Sequence, residues 1–96
     1  MQIWQIMSRQ VIRIHPEESV AVAARTLTNY NVGILPVCGS DGRLQGLVTD
    51  RDFVTRCLAS GRSAAATRVK DVMSVWVLKN NKYICVWLQG RTQARL

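Results

Sequence analysis

The chain has 96 residues, 48% of them hydrophobic, and a net charge of +7. That length holds one domain with a modest core, and the apolar content argues against disorder. No apolar run approaches the ~20 residues of a membrane span, Met1 to Met7 lack the regions of a signal peptide, and Cys38, Cys57, Cys85 and the lone His15 offer neither a disulfide framework nor metal-ligand spacing.

The expectation is a cytoplasmic protein with no membrane contact, whose cysteines are reduced and mostly buried. Charge is unevenly placed. Residues 1–60 carry six basic and five acidic side chains, whereas residues 61–96 carry seven basic side chains and only Asp71. A solvated basic tail and an anionic partner both fit that asymmetry.

In chain order, Val11-Ile12-Arg13-Ile14 reads as a short β-branched strand. Pro16 with Glu17 and Glu18 suits the first turn of a helix, and Val20, Ala23, Ala24 and Leu27 recur on one helical face. Asn29 to Gly33 ends that helix, because asparagine and glycine tolerate positive φ. Ile34 to Cys38 is a second strand, with Pro36 marking an edge position or a bulge. Gly39 to Gly42 is a turn, and Arg43 to Val48 a third strand that completes a hairpin. Thr49-Asp50-Arg51-Asp52 opens a second helix with Phe53, Cys57 and Leu58 as its apolar face and Gly61 as its stop. Residues 62–70 form a connector.

An internal echo follows at an offset of 66 residues: Gln5-Ile6-Met7-Ser8 resembles Asp71-Val72-Met73-Ser74, and Val11-Ile12 falls on Val77-Leu78. The echo then stops. Val75 to Leu78 and Tyr83 to Leu88 flank Asn80-Asn81, the pattern of a β-hairpin. The break after Ser74 has two readings, a shifted coding frame or a genuine hairpin that caps the first motif or mediates dimerisation.

Met7-Ser8, Val11 to Ile14, Pro16 to Val20, Val32 to Val37, Asp41 to Leu44 and Gly46 to Asp52, in this order and spacing, resemble a CBS domain, the regulatory domain named after cystathionine β-synthase. The resemblance covers about residues 5–60 and the start of a second copy near 71–78. It implies an α/β (α+β) fold: a β-α-β-β-α unit with a short additional C-terminal β-hairpin or extended tail. The chain then divides into a first motif (1–61), a connector (62–70), and an incomplete second motif with a divergent basic end (71–96). The family normally packs two motifs about a pseudo-two-fold axis as a Bateman module. AMP, ADP, ATP or S-adenosylmethionine binds in the clefts between them. With most of the second motif missing, a homodimer would restore the pairing in trans.

The best site candidate is Gly46 to Asp52. Glycine permits close approach to the backbone, and a strand that runs into a helix start presents unpaired N–H groups. By resemblance, Thr49 would donate to phosphate and Asp52 accept from the ribose hydroxyls, with Arg51 adding charge. The same Thr49-x-x-Asp52 spacing is also a capping box for the helix, and the family uses these residues for both jobs. The adenine would sit against Met7, Val11 and Ile12 and against Ile34, Leu35 and Pro36; ordinary core packing is the alternative for all six. His15 reads as a cap or surface histidine.

No catalytic or metal residues are identified, since a nucleophile triad needs an oriented base and the glycine-rich turn lacks the GK[ST] of a P-loop. No tightly bound cofactor is implied. Three functions remain: a regulatory nucleotide sensor acting through dimerisation or a regulated partner protein, an interaction domain without a ligand, and, ranked last, a nucleic-acid binder using the basic tail, which lacks aromatic interleaving.

Overall fold

A computed structural model describes residues 12–87. Its elements are α1 (Val20–Tyr30), β1 (Ile34–Cys38), β2 (Leu44–Thr49), α2 (Asp50–Phe53) continuing into a π-helical turn (Val54–Leu58), a 3-10 turn (Val69–Asp71), β3 (Val75–Lys79) and β4 (Lys82–Val86). The α-β-β-α part of the expected order and the C-terminal hairpin are present among the described residues. Met7 and Val11 lie outside the described residues. Of the expected first strand, Ile14 makes a single parallel bridge to Val37.

α1 begins later than Pro16 and the two glutamates suggest. Ser19 is its N-cap, accepting from the Val22 N–H at 3.1 Å. The reason lies more than forty residues away in the chain. Lys70 N–H donates to the Pro16 carbonyl and Val69 N–H to that of Glu18, which holds residues 16–19 out of the helix. The connector repays α1 directly: Val20 and Ala21 N–H, unpaired within the helix, donate to Thr67 and Ala64 carbonyls at 2.8 and 3.0 Å. α1 ends at Asn31, left-handed at φ 55°, with Val32 N–H returning to the Leu27 carbonyl in a Schellman-type closure.

β1 and β2 pair antiparallel from Ile34↔Thr49 to Cys38↔Leu44, with a register shift between Val37 and Cys38. The core lies between this hairpin, α1 and the π-helical turn. Val20, Leu35, Val37, Val48, Cys57, Val69 and Val72 are fully buried in it. Leu58 departs from expectation. It is exposed while Cys57 is buried, because the Val54 carbonyl is bonded five residues on, by Ala59, and the extra residue in the turn carries Leu58 round to solvent. Cys38 and Cys57 are buried, but Cys85 is exposed.

The connector is anchored further by Lys70, whose Nζ lies 2.9 Å from Glu17 Oε2. The hydrogen bond from Lys70 holds the Glu17 carboxyl below the ordinary glutamate range, and the same bond raises Lys70. The stability this contact adds is fully present above the ordinary glutamate pKa and is lost as pH falls through the lowered Glu17 value. At the alkaline end it is lost as pH rises through the raised Lys70 value. Both groups are exposed, so the effect is small. A carbon-detected NMR titration should show Glu17 titrating below free glutamate and moving back up in Lys70→Met.

Candidate functional site

Of the two roles considered for Thr49 and Asp52, the structure shows the helix cap. Thr49 is the N-cap of α2: Asp52 N–H donates to Thr49 Oγ1 at 3.2 Å, and Thr49 N–H donates to Asp52 Oδ2 at 2.9 Å. This is a complete capping box. The box locks both side chains in place. It uses Thr49 Oγ1 only as an acceptor, which leaves the hydroxyl proton to donate. The other Asp52 oxygen, Oδ1, faces Arg56 Nη1 at 3.6 Å.

Sheet register places the apolar candidates beside them. Ile34 is the direct partner of Thr49, and Pro36 is the partner of Leu47. Strand alternation then puts Ile34, Pro36, Leu47 and Thr49 on one face, opposite the buried Leu35, Val37 and Val48. That face is half open, with Ile34 48% exposed. Leu35 is therefore core, not site.

Pro36 also shapes the neighbouring edge. Ile14 N–H donates to the Pro36 carbonyl and Cys38 N–H to the Ile14 carbonyl, both at 3.0 Å. The next rung of a parallel ladder would run from the N–H of residue 36 to the carbonyl of Ile12. Proline has no N–H, so the ladder stops and the Ile12 carbonyl has no strand partner there. The edge reading of Pro36 thus has a specific consequence.

Gly46 requires a correction. It is buried, and the close approach it permits is taken by the chain itself. A Cβ at this position would overlap the Ser74 carbonyl oxygen. Leu47 and Ser74 exchange two backbone hydrogen bonds at 2.9 Å each, joining β2 to the start of the echoed second motif. Gly46 therefore seats Ser74. Arg51 is exposed on α2, and its side chain makes no ion pair among the described residues.

Arg56 was not singled out by sequence. Its Nη1 donates to the Val72 carbonyl at 3.0 Å and lies 2.8 Å from Ser74 Oγ, and its guanidinium sits 4.8 Å from the centroid of the Trp87 ring. Trp87 Nε1 in turn donates to the Asp71 carbonyl at 2.7 Å. The only local signal was its position four residues after Asp52, the spacing of a helical ion pair. His15 does not cap α1, whose N-cap is Ser19; its Nδ1 accepts from Glu17 N–H in the turn before the helix, and its Nε2 lies 3.1 Å from Ser40 Oγ.

Among the described residues, no three His, Cys, Asp or Glu side chains come together as a metal site, and no helix is long and apolar enough to cross a membrane.

The family model for the CBS domain matches residues 3–59. Hypoxic response protein 1 of Mycobacterium tuberculosis is 41% identical over 56 residues, which is 58% of this chain and 39% of that protein. The CBS domain-containing protein YhcV of Bacillus subtilis is 37% identical over 75 residues, 78% of this chain and 52% of that one. The chain thus spans about half the length of these relatives or less. A crystal structure of Hypoxic Response Protein I with two coordinated zinc ions superposes with a TM-score of 0.66 at 31% identity, covering 70% of this chain and 55% of that one. A CBS-domain protein from Agrobacterium tumefaciens gives 0.61 at 27% identity, with 72% and 58% covered. CBS domains are regulatory modules rather than catalysts, and generally bind adenosine ligands or mediate interaction. With its motif order, its hairpin core and its helix-capping Thr49-x-x-Asp52 all in place, the chain belongs to the CBS-domain family.

Proposed function

We propose that this chain is a regulatory module that binds an adenine nucleotide on the half-open face of the β1–β2 hairpin and acts as a pair of copies. The observation that carries this reading is the Thr49–Asp52 box at the end of that face, directly beside Ile34. It holds a hydroxyl donor suited to a phosphate and a carboxylate suited to ribose hydroxyls. Ile34 and Pro36 supply apolar contact for a base, and the Ile12 carbonyl, to which Pro36 offers no N–H, is an acceptor for an exocyclic amine. Arg51, exposed on α2, adds positive charge beside the phosphate position.

A single copy leaves this face half open. The family pairs such a motif with a second one; in this chain the echo of the second motif stops after Leu78, and the pairing is between two copies. Nucleotide binding would then bias how the two copies pack, and that bias is what a regulated partner reads.

Isothermal titration with AMP, ADP, ATP and S-adenosylmethionine tests the reading. Saturable binding is expected for at least one, lost in the Thr49→Ala/Asp52→Ala variant and retained in Thr49→Ser. The double variant removes the helix cap and should cost about 1 to 2 kcal/mol of stability, so circular dichroism must show it folded. No binding by any of the four would leave an interaction domain in which Thr49 and Asp52 serve only as a cap.

A further inference from the structure

β4 is the last strand in the spatial order Ile14, β1, β2, β3, β4, and among the described residues nothing pairs its outer edge. The hairpin turn fixes which groups face outward. Asn80 and Asn81 have φ of 53° and 62°, the left-handed pair of a type I′ turn. In such a two-residue hairpin Lys79↔Lys82 is a mutually hydrogen-bonded pair, and so in alternation are Val77↔Ile84 and Val75↔Val86. Tyr83 and Cys85 therefore turn their N–H and C=O groups away from β3. Ser74, in the matching phase on β3, does turn outward and bonds Leu47.

This edge lacks the usual protection against pairing. Tyr83 to Trp87 contains no proline, no glycine and no charge, and Lys82 alone guards the tip. Trp76, Leu78 and Tyr83 share one face with Cys85 and are 52%, 59% and 70% exposed. Among the described residues, a lone copy presents an apolar patch beside an unpaired strand edge.

We propose that β4 is the seam of a homodimer, in which two β4 edges pair antiparallel about a two-fold axis through Ile84. The proposal rests on the reading above that the module works as a pair. With the axis at Ile84, Tyr83 lies opposite Cys85 of the second copy, and both present outward-facing groups. The two symmetric pairs exchange four main-chain hydrogen bonds. A shift by one residue would oppose outward groups to inward ones and lose all four.

Charge separates this register from its nearest alternative. Here Lys82 lies opposite Val86 of the second copy, so the two Lys82 residues stand four positions apart, roughly 13 Å, beyond the ~8 Å screening length at physiological salt. An axis through Tyr83 would halve that distance. An axis through Cys85 would run the pairing past the end of β4 at Val86. The paired hairpins form one four-stranded sheet. Two five-residue strands joined along their edges make a contact of the small, transient kind, so the dimer is one that dissociates on dilution.

Sedimentation velocity over a range of concentrations should show monomer passing to dimer. Tyr83→Pro, which removes one outward N–H, should shift the dissociation constant upward at least tenfold while circular dichroism stays unchanged. Disulfide trapping locates the seam independently of that variant. In a Cys85→Ser background, Ile84→Cys should oxidise readily to a covalent dimer, because residues opposite in a non-hydrogen-bonded pair have Cα atoms ~4.5 Å apart, within disulfide reach. Lys82→Cys, four positions from its own counterpart across the seam, should not self-link. A monomeric mass at every concentration would overturn the seam, and so would a dimer in which Ile84→Cys links no faster than Lys82→Cys. The latter outcome leaves a pair that forms elsewhere. Loss of nucleotide binding with the Ile84→Cys link intact would instead overturn the sensor reading and leave the seam standing.

Discussion

Gly46→Ala is expected to lower stability by about 3 kcal/mol, combining an overpacking cost with weakened backbone hydrogen bonds. For a domain of this size that is a fall in melting temperature of roughly 15 °C. The added methyl meets the Ser74 carbonyl oxygen, with Ser74 C and Val75 Cγ1 both 3.3 Å away. A backbone carbonyl cannot swing aside as a side chain can. Making room means breaking the reciprocal Leu47–Ser74 pair that bridges β2 to the residue before β3. Gly39→Ala is the matched control. Its methyl would meet chiefly the end of the Gln45 side chain, 2.5 Å from the amide nitrogen, and Gln45 is exposed and can rotate away. Thermal melts of the two variants should differ by most of the predicted fall. If Gly46→Ala instead kept its stability and lost only nucleotide affinity, Gly46 would face the ligand after all.

Arg56→Ala is expected to cost a similar amount, about 3 kcal/mol, by a different route. The Arg56 side chain is 21% exposed and that of Asp52 12%, so removing the guanidinium leaves a largely buried carboxylate without its cation. The Val72 carbonyl and Ser74 hydroxyl also lose their donor. The cation–π contact with Trp87 disappears as well, and with it one of the ties between the hairpin end and the body. Arg56→Lys keeps the charge but cannot reach several acceptors as a planar fork, so its loss should be intermediate. Chemical denaturation supplies the energies. Near-ultraviolet circular dichroism, compared with a Trp87→Phe control, reports whether the tryptophan has lost its fixed surroundings. Unchanged stability in Arg56→Ala would show that the cluster around Trp87 does not hold the hairpin in place.

These two residues also show what local sequence could and could not disclose. The body of α1 was legible because Val20, Ala23 and Leu27 must share a face to be buried, and all three are. Its start was not, because Pro16 and Glu18 give their carbonyls to Lys70 and Val69, a pairing that no window of neighbouring residues contains. The hairpin at Asn80-Asn81 was legible from turn chemistry, since only a few residue types accept two successive positive φ values. Gly46 was legible as a point of close approach, but not what approaches it. The Ser74 backbone and a ligand make the same demand on a glycine.

The candidate site divides in the same way. The capping box of Thr49 and Asp52 was legible in their spacing because it is local, whereas their place in a ligand site came from the family resemblance. The placement of Ile34 beside Thr49 depends on strand register, which the turn at Gly39 to Gly42 and the bulge after Val37 set between them. Arg56 went unread because three of its four partners lie 16 or more residues further along the chain.

The central claim is that an adenine nucleotide lies on the Ile34–Thr49 face. Amide-resolved NMR titration with the tightest-binding of AMP, ADP, ATP and S-adenosylmethionine tests it most directly. The account predicts saturable shifts centred on Thr49, Asp52, Ile34 and Ile12, with Gly46 moving less than its neighbours because it faces Ser74. Shifts confined to Lys79, Lys82 and the basic residues beyond them would contradict it and mark binding as simple attraction of an anion to the charged end of the chain.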